Sequence, residues 1–497
     1  MIYLNLFLIS IIFPILIFIF ESYPRFFNRK FGVDIWTHLL YLKEYHRQGG
    51  VPQTLDKGFL VGGEYDYPPV FITILSKFPE KMVEKFEFLF SPFFDSLHLI
   101  LIFFISYYLS GNLFLALLTQ ILYCLTPIIV LENSSATPRS LGYMLFTIFM
   151  FSLFLFVQTN IIYLFILSLV AGCFIFLSHR FTAQGALFFV IFFSLFEKNG
   201  VYLISYALSF LLAIIVSKGL YLRVLRGHIG NLKFWYKVID YRFSHQILGN
   251  YKEHKTQDFV FKMYNQFLKF PPFVLAITNP WTLPVLFYFG KTQLLTPVLK
   301  EAFELVLLSY IFSLLIIWVP KLRFLGEGQR YLELTAFPAA FLSSKLLIET
   351  LLHSTYSSAY IFIYIATALL ALITIVVIQR KAIIKDTLRT ITPDMQSMFS
   401  YLKSLKKKPN LLCIPHQITT NTIFHTGCSV FVNADYRNID KISEIYPYLK
   451  VPVKKALEKY NLDAVLLNEK YATIKDLKIK EFREVKRFGT FVLLKFD

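Results

Sequence analysis

Long apolar stretches broken by short polar connectors dominate the chain up to about residue 380, and a different rhythm takes over afterwards. Met1 to Phe20 carries no charge. At 1.5 Å rise per residue it is long enough to cross the hydrocarbon of a bilayer. It has neither a basic leading region nor a small-residue cleavage site, so it reads as a retained first span rather than a removed signal. Apolar runs recur at Phe93–Leu109, Asn112–Leu131, Leu141–Val157, Ile161–Leu177, Thr182–Phe196 and Val201–Val216, a compact block of about seven spans with the first. Further runs near Pro272–Phe289, Ala302–Val319, Tyr331–Ile348 and Tyr360–Ile378 bring the expected total to about eleven. The expected fold is mostly α, a polytopic transmembrane helical bundle.

Two polar regions interrupt this pattern. Glu21 to Ser91 is a long first loop with helices of its own, and Ser217 to Phe270 is a basic loop whose periodicity allows amphipathic helices on the membrane interface. Beyond Arg380 the stretches "NLLCIPHQ", "CSVFVNAD", "DAVLLNE" and "FGTFVLLKFD" are short β-branched or aromatic runs alternating with helical segments. That alternation predicts a small soluble α/β domain. The expected division is therefore a membrane domain over 1–379, containing loops 21–91 and 217–270, and an α/β domain over 380–497. No solenoid repeat and no low-complexity linker breaks the sequence.

Composition sharpens the class. Of 497 residues 56% are hydrophobic and only 16% charged, where soluble domains carry about a quarter. The formal charge of +18 would suggest nucleic acid in a soluble protein, but here the bases lie in loops and tail beside lipid head groups. Membrane lipid or a phosphate-bearing lipid substrate is the more economical partner, and no nucleic acid is expected. Four cysteines are too few for a disulfide framework; Cys413 and Cys428 could pair only in an oxidising compartment. There is no phosphate-binding P-loop, no Gly-x-Gly-x-x-Gly after a strand and no paired Cys-x-x-Cys. Nor is there the pair of broken spans that marks an inverted-repeat transporter.

With the N-terminus cytoplasmic, span parity places the first loop, "ENSSATPRS", "SHRF", the basic loop, "KLRFLGEGQRY" and the tail on one face. The short loops of that face hold Arg139, Arg180, Lys321, Arg323 and Arg330, against Lys198, Lys291 and Lys300 opposite. The positive-inside tendency alone would invert the molecule. Arginines recruited to hold a phosphate obey a different constraint, so this face is taken as the outer one. Asp34 and His38 stand four apart and on a helix would share a face; the same spacing also suits an N-cap followed by an exposed histidine. Glu64 and Asp66 precede a double proline in "GGEYDYPPVF". Glu132 and Arg139 flank the third and fourth spans, and His179 and Arg180 form the next turn on that face. Glu327, Arg330 and Tyr331 stand in "GEGQRYLELTAFP". Any one of these charges could simply anchor a span end to head groups. Their coincidence on one face with Asp34 favours a shared phosphate site, with the Arg330 guanidinium as a bidentate clamp.

An apolar first span, a first loop opening on "VDIWTH", then "YDYPPVF", "LSHRFTA", "RYLELTAFP" and a soluble tail resemble, as an ordered set, the GT-C superfamily of integral-membrane glycosyltransferases. That group includes oligosaccharyltransferases, protein mannosyltransferases and aminoarabinose transferases. The resemblance covers roughly Met1 to Gln379. It implies a multi-pass cell-membrane protein with its active site facing outside. It further implies inverting transfer of a sugar from a polyprenyl-phosphate donor to a glycan, lipid or protein acceptor. Asp34 takes the place of the family's catalytic acid, and His38, Glu64, Asp66, Glu132, Arg139, His179, Arg180, Glu327, Arg330 and Tyr331 become substrate-binding candidates. Many members show two adjacent acids where this chain has Val33-Asp34-Ile35, so a divalent metal, Mg or Mn, would need Glu64, Asp66 or His38 as a further ligand. The competing reading is a transporter or flippase for a lipid-linked glycan or anionic solute, using the same basic pocket without breaking a bond. A membrane scaffold displaying the tail would leave the same-side charges unexplained.

Overall fold

The computed structural model describes residues 2–32, 34–134, 136–239, 270–353, 357–477 and 482–495. The chain is mostly helical. It divides into two compact units, one of residues 1–29, 86–221 and 257–385 and the other of residues 30–85, 222–256 and 386–497. We call them the apolar unit and the sheet unit. The loop expected over 21–91 is thus shared out: residues 30–85 belong with the tail, whereas its two ends belong with the bundle.

In the apolar unit the helices follow the hydrophobic runs, and some of them stop at a glycine or asparagine cap. Phe90–Ser110 stops at Gly111 with φ 61°, and Arg139–Thr159 stops at Asn160 with φ 57°, both left-handed caps. Asn112 then opens Leu113–Cys124 by accepting the Leu115 amide at 3.1 Å. Among the described residues five helices are long and apolar enough to cross a membrane: Asn5–Phe27, Glu80–Ser110, Arg139–Thr159, Pro297–Trp318 and Ser358–Ile384. Val201–Val216 and Leu220–Lys237 form a bent pair, and Leu113–Cys124, Ile162–Ser178 and Arg180–Phe196 are shorter apolar helices.

The difference from eleven has local causes. Pro127 splits the run at 112–131 into Leu113–Cys124 and Pro127–Glu132. The run at 272–289 becomes Pro271–Thr278 and Thr282–Val285, followed by 3₁₀ turns. The run from Tyr331 starts its helix only at Ala336, after a 3₁₀ turn at Gly328–Leu332. Of the basic loop, helix Leu220–Lys237 is described, and residues 240–269 lie outside the described residues.

The sheet unit carries strands β1 (Thr54–Leu55), β2 (Phe59–Val61), β3 (Gly63–Glu64), β4 (Asn410–Ile414), β5 (Ser429–Asn433), β6 (Ala464–Asn468), β7 (Arg483–Phe488) and β8 (Phe491–Lys495). Strands β1 and β3 pair with each other. The six others form one sheet in the order β2-β5-β4-β6-β8-β7, with β2, β5, β4 and β6 parallel and β8 and β7 antiparallel. Strand β6 is buried along its whole length, as a central strand covered on both faces must be. Strand β2 comes from the first loop and covers the edge of β5, with Phe59 opposite Val430. A loop and a tail that share one hydrogen-bonded sheet lie on the same side of any membrane the bundle crosses. All four cysteines are free thiols, with Cys413 and Cys428 buried in this unit.

Candidate functional site

Asp34 is the first residue of helix Asp34–Gln48 and is exposed. A carboxylate in the first turn is favoured there by the helix dipole. Its position is set from both sides. Upstream, Gly32 N–H donates to the Arg389 carbonyl at 2.9 Å and Ile391 N–H to the Lys30 carbonyl at 3.2 Å, so residues 30–32 run beside 389–391. Downstream, the Trp36 indole donates to the Gly32 carbonyl at 2.8 Å, and its ring lies 4.7 Å from His425 and 5.5 Å from Phe424. His38, one helical turn on, is buried against Tyr41, Tyr67 and Phe71. Burial pushes its pKa down to about 4, the Asp34 charge pulling the other way, so the ring is neutral at physiological pH.

Glu64 and Asp66 are engaged in holding the loop. Asp435, itself buried, accepts the Glu64 amide at 2.8 Å and the Asn438 amide at 2.9 Å, and Glu64 pairs with Arg437 at 3.0 Å. Asp66 is 2% exposed and accepts the Tyr436 amide at 2.9 Å. A side chain at Gly227 would collide with the Asp66 carboxyl at 2.0 Å, so the helix that passes there needs glycine.

The apolar unit gathers most of the remaining candidates. Glu132 pairs with Arg139. Arg139 also lies 4.0 Å from Glu333, and Arg330 lies 3.8 Å from the same carboxylate. Glu333 is 2% exposed, so a buried acid stands between two arginines brought from distant parts of the sequence. The Arg330 guanidinium sits over the Phe181 ring at 4.7 Å, which draws in the His179-Arg180 turn. His179 Nδ1 meets Thr182 Oγ1 at 2.8 Å, and Gly142 leaves room for this turn, since a Cβ there would come within 3.1 Å of His179. Gln184 donates to the Tyr331 hydroxyl at 2.6 Å and to the Leu325 carbonyl at 2.8 Å, tying this turn to the one that carries Arg330. Glu327 accepts from Gln329 at 3.1 Å. Arg139 and Arg180 each open a long helix, Arg139–Thr159 and Arg180–Phe196, where dipole and side-chain charge add to a positive potential.

On the approach to Arg139, residues 134, 136 and 137 are gripped by buried side chains. Arg25, paired with Glu87, donates to the Ser134 carbonyl at 3.1 Å, and Glu87 accepts the Ala136 amide at 3.2 Å. Ser91 accepts the Thr137 amide at 3.0 Å. Reading the sequence alone missed Glu333, Arg25 and Glu87. The available signal was a charge set in an otherwise apolar run, and for Glu333 its place three residues after Arg330.

The chain can be set beside solved structures on this basis. It matches the Archaeoglobus fulgidus oligosaccharyltransferase in its complex with Zn and sulfate at a TM-score of 0.58 and 12% identity, over 99% of this chain and 73% of that one. It matches ArnT from Cupriavidus metallidurans bound to undecaprenyl phosphate at 0.53 and 11%, over 97% of both chains. The fold is that of the GT-C glycosyltransferases. Archaeal oligosaccharyltransferase AglB from Archaeoglobus fulgidus, in complex with an inhibitory peptide and a dolichol-phosphate, matches at 0.52 and 11%, over 95% of this chain and 70% of that one. No family model matches the chain, and no curated protein matches it in sequence. One GT-C neighbour was solved with Zn. Among the described residues of this chain no group of three or more His, Cys, Asp or Glu gathers to hold a metal ion. The acids of the described residues do not gather as a metal centre, and no step of the chemistry is routed through one.

Proposed function

We propose that this protein is a membrane glycosyltransferase that moves a sugar, with inversion, from a polyprenyl-phosphate carrier to an acceptor at the outer membrane face. The observation that carries this reading is the likeness, along 97% of both chains, to ArnT bound to undecaprenyl phosphate. The residues suit the chemistry. Asp34, exposed at a helix start and fixed by its neighbours, takes the proton of an acceptor hydroxyl as that oxygen attacks the anomeric carbon. The bond from that carbon to the carrier phosphate breaks, and the electron pair leaves with the phosphate. Arg330 and Arg139, with His179 and Arg180 beside them, meet the growing negative charge. Glu132 and Glu333 aim the two arginines, Tyr331 braces the turn that carries Arg330, and Glu327 flanks it. Glu64 and Asp66 hold the loop of the Asp34 helix, and His38 packs beneath that acid.

The decisive experiment incubates purified protein with a panel of radiolabelled polyprenyl-phosphate sugars. Loss of label to water or to an added acceptor is expected for one donor class. Movement of intact lipid-linked sugar across vesicles without transfer would replace the enzyme with a flippase. Arg330→Lys keeps the charge and loses the planar fork, so donor binding should weaken by about 1–3 kcal/mol, the range for a charge-assisted hydrogen bond. Equal donor affinity in wild type, Arg330→Lys and Arg330→Ala would reduce this residue to an anchor.

A further inference from the structure

Inside the apolar unit two acids meet, and among the described residues no lysine or arginine is paired with either. Glu21, in helix Ile12–Phe27, and Asp95, in helix Phe90–Ser110, are both 0% exposed. Their carboxyls lie within hydrogen-bonding reach of each other. Arg25, one turn beyond Glu21, is committed to Glu87 and to the carbonyls of Asn28, Arg29 and Ser134. Two ionised carboxylates in contact would be a double negative charge in an apolar medium, at a cost of many kcal/mol.

The hydrogen-bond inventory shows how the charge is arranged. Tyr123 donates its hydroxyl to Asp95 Oδ1 at 2.7 Å. Its oxygen then accepts from His98 Nδ1 at 3.1 Å, and His98 Nε2 is left to accept from Thr147 Oγ1 at 2.8 Å. A neutral imidazole satisfies both contacts, so His98 needs no second proton. On the other side, Asn133, 0% exposed, donates Nδ2 to Glu21 Oε1 at 3.2 Å. Every donor in the chain Thr147–His98–Tyr123 points toward Asp95. Among the described residues no donor reaches three buried oxygens: Glu21 Oε2, Asp95 Oδ2 and Asn133 Oδ1. Two facing carboxyl oxygens are both satisfied when one carries a proton and donates it to the other.

The structure assigns to this pocket one bound proton, carried on Glu21 and donated to the ionised Asp95. The pair is a proton site within the bundle, wired through Tyr123 and His98 to Thr147 and through Asn133 to the turn that ends at Arg139. It takes no part in the sugar transfer and stands whether or not that reading holds.

Infrared spectroscopy of the purified full-length protein tests it. Wild type should show the carbonyl band of a buried protonated carboxyl. Glu21→Gln, whose amide can still donate to Asp95, should fold and lose that band, whereas Asp95→Asn should keep it at a shifted frequency. Tyr123→Phe removes one donor from Asp95 and should shift the band without abolishing it, which serves if the Glu21 variant fails to fold. A wild-type protein without the band overturns the assignment, as does a band lost in Asp95→Asn and kept in Glu21→Gln. A melting temperature that rises with sodium in wild type and not in Glu21→Gln would show a metal cation in the proton's place, and also overturns it.

Discussion

Two stretches of the first loop, 31–45 and 62–71, both set acids beside aromatic residues, and the fold treats them in opposite ways. Asp66 is buried on the Tyr436 amide, and Glu64 pairs with Arg437 beside the Asp435 carboxyl. Asp34 is exposed, while two described residues near it are fixed: Gly32 by Arg389, Trp36 by His425 and Phe424. On the proposed function, the reactive acid is marked less by its own contacts than by the rigidity of its neighbours. Acids absorbed into hydrogen bonds with the backbone serve the fold.

Substitutions can break this contrast. Asn is nearly isosteric with Asp and caps helices about as well, so Asp34→Asn should leave the melting temperature near wild type. It loses the charge and basicity, and turnover should fall by about 10²-fold or more, the range for losing a general base. Full transferase activity in Asp34→Asn would end the case for this residue. Asp66→Ala leaves the Tyr436 amide without its acceptor and should cost about 1–3 kcal/mol of stability, read by denaturant unfolding, with turnover per folded molecule retained. A silent Asp66→Ala would make the two acids alike.

Acid pH gives a smaller effect. His38 and His425 are each pushed from 6.5 down to about 4, chiefly by burial. In the unfolded chain they take up protons first, so the stability they contribute is whole above pH 6.5 and is lost as pH falls toward 4. Melting temperature should decline over that window, and His38→Phe, which cannot titrate, should flatten part of the decline. The smallest change is expected from Glu64→Gln. Its ion pair with Arg437 is partly exposed, so stability should move by less than about 1 kcal/mol in the same unfolding assay.

The helices of the bundle were legible because apolar runs and their Gly, Asn and Pro punctuation are local signals. Span number was less so, since Pro127 turns one hydrophobic run into two helices that no hydropathy sum separates. The residues of the candidate site were visible as charges near span ends, but their grouping around Glu333 depends on contacts between distant segments. The motif at 62–71 carried the right residue types for chemistry, and only the positions of Asp435 and Tyr436 show them engaged in docking the loop. Strand β2 could not be foreseen: three residues of "FLV" become a strand only because β5 lies beside them.

That strand also has a consequence in time. Glu64 and the Asp435 carboxyl it meets are 371 residues apart, and β2 has no partner until β5 has been made. The ribosome therefore delivers the Asp34 helix long before the segments that hold it, Arg389–Ile391 and Phe424–His425, exist. Such long-range closure is slow and comes late in folding. A nascent chain halted before Arg389 would have its bundle and its arginines but an unanchored Asp34 helix, so on the proposed function competence for chemistry arrives only late in synthesis.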